Sequence, residues 1–223
     1  PSPLAVPASV AHDGELVPHT MRRRRIAQRM TLAASIPTLT ADMEIDLGAV
    51  GKGYAGREAG RVLRAHGVTS AILSLGGNIE AVGARPDGTP WRVGIRAPDA
   101  EGHAGMLSVR DAAVVTSGSY ERYFTDDSGK RWHHILDPAS GYPAENGLLS
   151  VTVVGPDGLL CDGLSTALFV MGRDKAEAFW RAHGGFEMIL IGEDRHITVT
   201  EGLAEQFTVL SEYTAEKAEV LRR

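Results

Sequence analysis

Cysteine is nearly absent from this chain of 223 residues, and long apolar runs are absent altogether. The single cysteine, Cys161, excludes a disulfide-stabilised scaffold and suits a reducing compartment. The apolar runs, such as 166–171, are far shorter than the roughly 18 residues that a membrane-spanning helix needs, so no membrane span is expected. Neither sign of charge is in large excess, with 23 Lys and Arg against 28 Asp and Glu and a formal net charge of −5. This balance argues against a dedicated nucleic-acid-binding protein.

Aromatic side chains do not occur before Tyr54, and the N-terminal part also differs from the rest in composition. Residues 1–18 are rich in proline and in small or polar residues, which bury little apolar surface and indicate an extended tail. The basic segment at 21–30 is expected to be a solvated helix face, with contact to phosphates or a membrane surface as the alternative. The sequence thus predicts a tail and basic segment over residues 1–37 and one folded domain over 38–223.

The first 37 residues also resemble the start of the catalytic domain of dihydrolipoamide acyltransferases, through the Pro/Ala-rich tether and the run 17–30. The chemistry of that family requires a His followed by an Asp-Gly pair near its C terminus. Here Asp162-Gly163 has no His shortly before it, and His196 has no Asp-Gly after it, so this resemblance carries no active site. No signal-peptide pattern precedes the basic segment, and a cytoplasmic location is expected, although export of a longer form stays open.

From about residue 38 the apolar pattern predicts an α+β fold of mixed or antiparallel sheets with packed helices. A helix is predicted over 52–66, stopped by Gly67, and a buried strand over 71–75. Further helices are predicted over 162–171, 174–183 and 212–221. Short strands are predicted at 42–47, 79–82, 91–95, 106–109, 113–116, 133–136, 149–154, 187–191, 196–199 and 207–210.

The first motif runs from Asp46 to Ala55, where a strand ends in glycines and Lys52 stands at a helix start. Free amides at a helix start favour phosphate, and glycines let the backbone approach a ligand closely. Residues 51–56 spell G-x-G-x-x-G, but the next strand does not end in the acidic residue that a dinucleotide site of that type requires. A plain strand–turn–helix without a ligand is the alternative.

The second motif contains the adjacent histidines His133 and His134, followed by an Asp-Pro and a Gly-Tyr-Pro loop. Neighbouring residues of a strand point to opposite faces, so both rings cannot easily bind one metal. One histidine is expected in the core or at the surface, and the other is a candidate general base. A hairpin without chemistry is the alternative.

The third motif is the helical run that starts with Cys161 and Asp162. Asp162 and Thr166 have i, i+4 spacing, which places a carboxylate and a hydroxyl on one helical face. Such hard oxygen ligands suit magnesium or calcium, with substrate phosphates completing the coordination. Helix capping by Asp162 is the alternative, and Cys161 is expected to be a small core residue.

Together, and in this order, the motifs resemble the FAD:protein FMN transferases of the ApbE family from about residue 38 to 208. The resembling segments are 46–55, 74–78, 91–95, 116–124, 133–143 and 162–172. The resemblance implies an ApbE-like domain related to the T-fold. It also implies that the chain binds FAD and magnesium, transfers FMN to a Thr or Ser hydroxyl of a target protein, and releases AMP.

The resemblance also implies a role for particular residues. The metal ligands would be Asp162, Thr166 and the backbone carbonyl of Gly51, where the family usually has Ala. His134 would be the base for the acceptor hydroxyl. The positions near the flavin nucleotide would be Asp46, Lys52, Asn78 and Ser117.

The chain departs from the family pattern ahead of the strand predicted at 42–47. A Met-Gly-Thr segment and a Tyr-containing loop that help to hold FAD in the family do not occur in this sequence. The resemblance therefore implies a version that lacks the usual N-terminal portion, with exposed sheet edges through which a homodimer could form. Two other functions stay open: an FAD pyrophosphatase, with water in place of the acceptor, and a non-catalytic flavin-binding protein.

Overall fold

The computed structural model of the protein describes residues 47–223. The predicted tail and basic segment, most of the strand predicted at 42–47, and Asp46 lie outside the described residues. No helix within 47–223 has both the length and the apolar character needed to cross a membrane.

The described part of the chain contains three α-helices: α1 (Gly51–Ala65), α2 (Gly158–Met171) and α3 (Arg173–His183). Helix α1 ends as predicted, because Gly67 adopts a φ of +80° and its amide donates to the carbonyl of Arg64. Helix α2 begins four residues before the predicted start. Its N-cap is Asp157, whose side chain accepts from the amides of Leu159 and Leu160.

The strands form three sheets within residues 47–223. In chain order they are β1 (Ser70–Leu75), β2 (Asn78–Gly83), β3 (Trp91–Arg96), β4 (His103–Val109), β5 (Ala113–Gly118), β6 (Tyr123–Thr125), β7 (Arg131–His133), β8 (Leu148–Gly155), β9 (Glu187–Gly192), β10 (Ile197–Thr200), β11 (Phe207–Val209) and β12 (Glu219–Leu221). The large sheet has the order β1-β2-β5-β8-β9-β10-β12, and all its pairs are antiparallel except β10 with β12. A second sheet has the order β11-β4-β3, and β6 pairs with β7 in a hairpin.

The large sheet is the middle layer of the fold. On one face, Ala113 and Val115 of β5 belong to a core cluster with Phe169 of α2 and Trp180 of α3. On the other face, Val114 joins the cluster formed with the small sheet. This alternation follows from the two-residue period of a strand. Each fully buried large apolar side chain contributes about 1.5–3 kcal/mol. The predicted α+β class is confirmed, and the site described below lies against this middle layer.

The close crossing of α1 and α2 depends on Gly53. A Cβ on this residue would fall well inside contact distance of the Gly158 carbonyl and 2.6 Å from the Cβ of Asp162. The absence of a side chain lets the first turn of α1 lie directly on the N-terminal half of α2. This contact brings the glycine turn before α1 next to Asp162.

Two strand predictions need correction. The strand at 71–75 was expected to be buried, but β1 is an edge strand that pairs with β2 alone among the described strands, and Ile72 is 40% exposed. The strand predicted at 133–136 ends at its first residue, because β7 is Arg131–His133. Leu136 makes only an isolated bridge to Pro143.

The helix predicted over 212–221 is wrong. The chain forms turns there and ends in strand β12, whose side chains alternate between two layers. Val220 packs against the cluster shared with the small sheet, whereas Leu221 joins the cluster below the helices. Burial on two opposite faces requires an extended backbone, and this tertiary packing overrides the helical propensity of the segment.

Candidate functional site

A cavity of about 1040 Å³ lies between the start of α1, strands β3 and β5, helix α2 and the chain after β7. Five side chains singled out by the sequence line it: Lys52, Ser117, His134, Asp162 and Thr166. The structure therefore joins residues from all three sequence motifs. Of the remaining predicted site residues, Gly51 and Asn78 do not line the cavity, and Asp46 lies outside the described residues.

Asp162 occupies the buried wall of this cavity. It is 3% exposed, and the backbone amide of Gly53 donates to its Oδ2 over 2.8 Å. The capping alternative for Asp162 is thereby excluded, since Asp157 caps α2 and Asp162 lies inside the helix. No residue of 47–223 donates a hydrogen bond to Oδ1, so that oxygen keeps its lone pairs for a ligand.

Three hydroxyl groups lie beside Asp162. The Oγ of Ser117, on strand β5, lies 3.0 Å from the Oγ1 of Thr166 and 2.8 Å from the Oγ of Ser165. The hydroxyl of Ser165 donates to the backbone carbonyl of Asp162 over 2.9 Å. These contacts hold the end of β5 against the first half of α2.

The two adjacent histidines point in opposite directions, as the strand geometry predicts. The ring of His133 lies edge-on to Phe169, with 5.7 Å between the ring centroids, and burial lowers its pKa. His134 is exposed and lines the cavity. Its Nδ1 lies 3.2 Å from the carbonyl oxygen of Arg122, which can only accept. Nδ1 therefore carries the proton, and in the neutral ring Nε2 presents a lone pair.

Three cationic side chains of the cavity form no ion pair with any residue of 47–223: Lys52, Arg92 and Arg122. Lys52 stands in the first turn of α1, where the helix dipole also favours negative charge. These side chains can therefore hold an anionic group such as a phosphate in the cavity.

Another cation of the cavity is neutralised within the protein. The guanidinium of Arg96 lies 3.3 Å from the carboxylate of Glu121 and 5.2 Å from the ring centroid of Tyr120. Burial raises the pKa of Tyr120 to about 12, so its phenol stays neutral and presents an aromatic surface. A flat aromatic ligand group could pack against this part of the cavity.

Asn78 and Gly51 lie next to the cavity lining. Asn78 follows the turn of Gly76 and Gly77, which lines the cavity and in which both glycines have positive φ. The side chain of Asn78 is 5% exposed, and its Nδ2 has no hydrogen-bond partner among the described residues. Gly51 is the first residue of α1, between the lining residues Ala49 and Lys52. The role of Asn78 in binding a cofactor and the role of the Gly51 carbonyl in binding a metal stay predictions.

The donor set of the cavity decides which metal it suits. Within 47–223 no group of three or more His, Cys, Asp or Glu side chains is arranged to hold a metal ion. Cys161 is buried, and burial raises its pKa to about 12, so it offers no thiolate. One carboxylate and one hydroxyl, from Asp162 and Thr166, fit a hard cation that takes further oxygens from a bound phosphate. They do not fit a zinc site.

Sequence reasoning missed Arg92, Arg122 and Ser165. Arg92 lies on the polar face of β3, and Val93 and Ile95 are buried on the other face. The alternation of polar and apolar residues in this segment could therefore have identified Arg92 as a residue that faces away from the core. Ser165 gave no such signal, because its partner Ser117 lies on strand β5, and Arg122 lies between predicted strands, where no periodic pattern applies.

The fold and the cavity define an α+β protein in which a ligand-sized cavity brings together cationic side chains, the carboxylate and hydroxyl of Asp162 and Thr166, and the exposed imidazole of His134. The model of the ApbE family matches residues 7–190. The chain belongs to the ApbE family, and the resemblance drawn from the motifs is confirmed. The match begins at residue 7, within the predicted tail, and the domain boundary between 37 and 38 stays a prediction.

Relatives with an assigned activity are similar to much of this chain. A FAD:protein FMN transferase of Treponema pallidum is 40% identical over 180 residues, which is 76% of this chain and 49% of the relative. One of Klebsiella pneumoniae is 42% identical over 170 residues, 75% of this chain and 52% of the relative. The chain thus spans about half the length of these curated relatives.

Solved structures agree with the family assignment. The ApbE protein of Thermotoga maritima superposes with a TM-score of 0.67 at 35% identity, over 73% of this chain and 53% of that one. The apo form of the Pseudomonas stutzeri flavinyl transferase ApbE gives a TM-score of 0.61 at 33% identity, over 87% of this chain and 62% of that one.

Proposed function

We propose that this chain is an enzyme that transfers FMN from FAD to a Ser or Thr hydroxyl of a partner protein, in a magnesium-dependent reaction that releases AMP. One observation carries the proposal: a single cavity is lined by Lys52, Ser117, His134, Asp162 and Thr166. The relatives named FAD:protein FMN transferase support the substrate and the type of reaction.

FAD is a ligand of suitable size and charge for this cavity. A volume of about 1040 Å³ slightly exceeds the roughly 300–1,000 Å³ of small-molecule sites, which suits a large ligand such as a dinucleotide. Lys52, Arg92 and Arg122, which form no ion pair with residues 47–223, supply positive charge for the diphosphate. The Nδ2 of Asn78, which has no hydrogen-bond partner within 47–223, gives a further donor next to the cavity.

Asp162 and Thr166 would hold the magnesium ion, together with the predicted carbonyl of Gly51. A bound magnesium ion would stabilise the negative charge that grows on the diphosphate oxygens during transfer. The amide of Gly53 keeps Asp162 oriented, since it donates to one carboxylate oxygen and leaves the other available.

His134 is the proposed general base. The carbonyl of Arg122 holds the proton on Nδ1, so Nε2 can take the proton of the acceptor hydroxyl. As that proton moves, the hydroxyl oxygen bonds to the phosphorus of the FMN moiety. The bond from this phosphorus to the bridging oxygen breaks, and AMP leaves with the electron pair.

The exposure of His134 also favours a second candidate, FAD pyrophosphatase activity. Water can reach the imidazole as readily as a protein hydroxyl can, and attack by water would give free FMN and AMP. The chemistry at phosphorus is the same, and only the attacking oxygen differs.

Incubation with FAD and a Thr-bearing acceptor protein, with and without Mg²⁺, separates the candidates. AMP together with protein-bound flavin is the result expected for a transferase. AMP with free FMN would identify a pyrophosphatase, and FAD binding without AMP would identify a non-catalytic flavin-binding protein. Either of the last two results would overturn the proposed transfer.

A further inference from the structure

Three hydroxyls and one carbonyl form a continuous hydrogen-bonded chain that begins at the cavity lining and leads into the protein. It runs from Thr166 to Ser117, then to Ser165, and ends at the backbone carbonyl of Asp162. The three oxygen–oxygen distances are 3.0, 2.8 and 2.9 Å. All three fall in the normal range for hydrogen bonds between hydroxyls and carbonyls.

Each hydroxyl has one proton, and this fixes which group donates in each hydrogen bond from Thr166 to Asp162. A carbonyl can only accept, so the one proton of Ser165 is donated to Asp162. The contact between Ser165 and Ser117 must then use the proton of Ser117. With that proton committed, the contact between Ser117 and Thr166 must use the proton of Thr166.

We infer that Ser165 is a positioning residue of the cation site: through Ser117 it turns the proton of Thr166 into the protein, so that Thr166 offers only lone pairs to the cavity. The inference rests on the proposed function in one respect, that the ligand Thr166 meets is Mg²⁺ with FAD. Ser165 is fully buried and does not line the cavity, so it acts only through the hydroxyl chain.

The direction of these hydrogen bonds matters because a cation and the hydroxyl proton of Thr166 compete for the cavity side of the Thr166 oxygen. A hydroxyl whose proton has another acceptor presents its oxygen to a cation without first reorienting. Ser117 donates its proton to Ser165. It can therefore accept hydrogen bonds in the cavity, but it cannot donate one there without losing its hydrogen bond to Ser165.

The variant Ser165→Ala tests the inference. Without Ser165, the proton of Ser117 is free to turn toward Thr166, and the orientation of the Thr166 oxygen is lost. Mg²⁺ is titrated calorimetrically into protein saturated with FAD, with no acceptor present. The dissociation constant for Mg²⁺ should rise by about 3- to 10-fold, the effect of one hydrogen bond, while FAD affinity without Mg²⁺ stays unchanged.

Ser150→Ala is the matched control. Ser150 is also buried, on strand β8, but its hydroxyl has no hydrogen-bond partner among the described residues. Ser150→Ala removes the same hydroxyl group from an equally buried site and leaves the hydrogen bonds among Thr166, Ser117 and Ser165 intact. Mg²⁺ affinity should match the wild type, whereas a loss equal to that of Ser165→Ala would mean that any buried serine has the effect.

A double-mutant cycle with Ser117→Ala makes the test specific. Removal of Ser117 already disconnects Ser165 from Thr166, so adding Ser165→Ala should cause no further loss of Mg²⁺ affinity. Additive losses, or wild-type affinity in Ser165→Ala, would overturn the inference. If Ser165→Ala proves unfolded by its melting temperature, Ser117→Ala decides alone, and wild-type Mg²⁺ affinity in that variant would likewise overturn it.

These measurements also separate this inference from the proposed function. They record binding, not turnover, so a protein that binds Mg²⁺ with FAD but transfers no FMN counts against the transfer alone. A wild type that binds no Mg²⁺ with FAD would overturn both the cation site and the role of Ser165.

Discussion

Two walls of the cavity differ in how deeply their functional side chains are buried and in how these side chains are hydrogen-bonded. The wall formed by α1 and α2 carries Asp162, which is buried and accepts a hydrogen bond from the Gly53 amide at the helix crossing. The opposite wall carries His134, which is exposed and follows the β6–β7 hairpin. The first wall suits a ligand that must be held in one geometry, and the second suits a reactant that enters from outside.

The β6–β7 hairpin beside His134 is itself less buried than the helices of the other wall. Phe124 is 65% exposed, stacks on Trp132 with ring centroids 6.4 Å apart, and has no place in the two core clusters. Strands β6 and β7 pair only with each other among the described strands. An isolated two-stranded hairpin is marginally stable, so this wall is expected to move more readily than the helical one.

The largest expected effect comes from the carboxylate of the buried wall. Asp162→Asn keeps an oxygen that can accept from Gly53 but removes the charge that holds the cation. FMN transfer measured as AMP release should become undetectable at Mg²⁺ concentrations that saturate the wild type, with little change in melting temperature. Asp157→Asn is the control, because Asn is an equally good N-cap. Normal turnover in Asp162→Asn would remove Asp162 from the metal site.

The next largest effect tests the exposed wall. His134→Asn should bind FAD with unchanged affinity and transfer FMN about 100- to 10,000-fold more slowly, the usual contribution of a general base. His66→Asn, at the far end of α1 and outside the cavity lining, controls for loss of a surface imidazole. Unchanged transfer in His134→Asn would assign the base to another group.

A third change disrupts the buried wall without replacing a functional side chain. Gly53→Ala places a methyl group against the Gly158 carbonyl and Asp162, so α1 must move away from α2. The free energy of unfolding, measured in urea, should fall by about 3 kcal/mol. Gly51→Ala is the matched control, because a Cβ there meets nothing within 4 Å; it should leave stability equal or higher by up to about 1 kcal/mol. Equal stability of the two variants would contradict the helix crossing described here.

Local spacing allowed part of the buried wall to be predicted. Asp162 and Thr166 were expected on one helical face because the i, i+4 relation depends only on helix formation. The capping alternative could not be excluded, since Asp157 and Asp162 are both suitable caps and the choice depends on where the helix begins. The contact between α1 and α2 that orients Asp162 was outside the reach of sequence reasoning.

The exposed wall was less predictable for a different reason. The strand pattern placed His133 and His134 on opposite faces, but it did not say which of them faces the cavity. That choice depends on Phe169, a residue of α2 that packs against His133 and leaves the other side to His134. Ser165 was missed in the same way, because its partner Ser117 lies on strand β5.

The smallest expected effect concerns a second buried carboxylate near the helix crossing. Glu80 of β2 is 5% exposed, its Oε2 has no hydrogen-bond partner among the described residues, and its Oε1 lies 3.4 Å from Arg64. Burial raises the pKa of Glu80 above its ordinary value of 4.5, although Arg64 opposes the shift. Unlike Asp162, Glu80 does not line the cavity, so its cost to stability can be measured apart from function.

The sign of the pH dependence follows from the raised pKa. The folded state holds this proton more tightly than the unfolded chain, so stability from Glu80 is fully present below pH 4.5 and is lost as pH rises through the folded pKa. Glu80→Gln, which stays neutral, should therefore be more stable than the wild type at pH 7, and the difference should vanish near pH 4. Urea unfolding at both pH values measures it. A less stable Glu80→Gln at pH 7 would mean that the contact with Arg64 outweighs burial, and that the helical wall gains stability from this carboxylate.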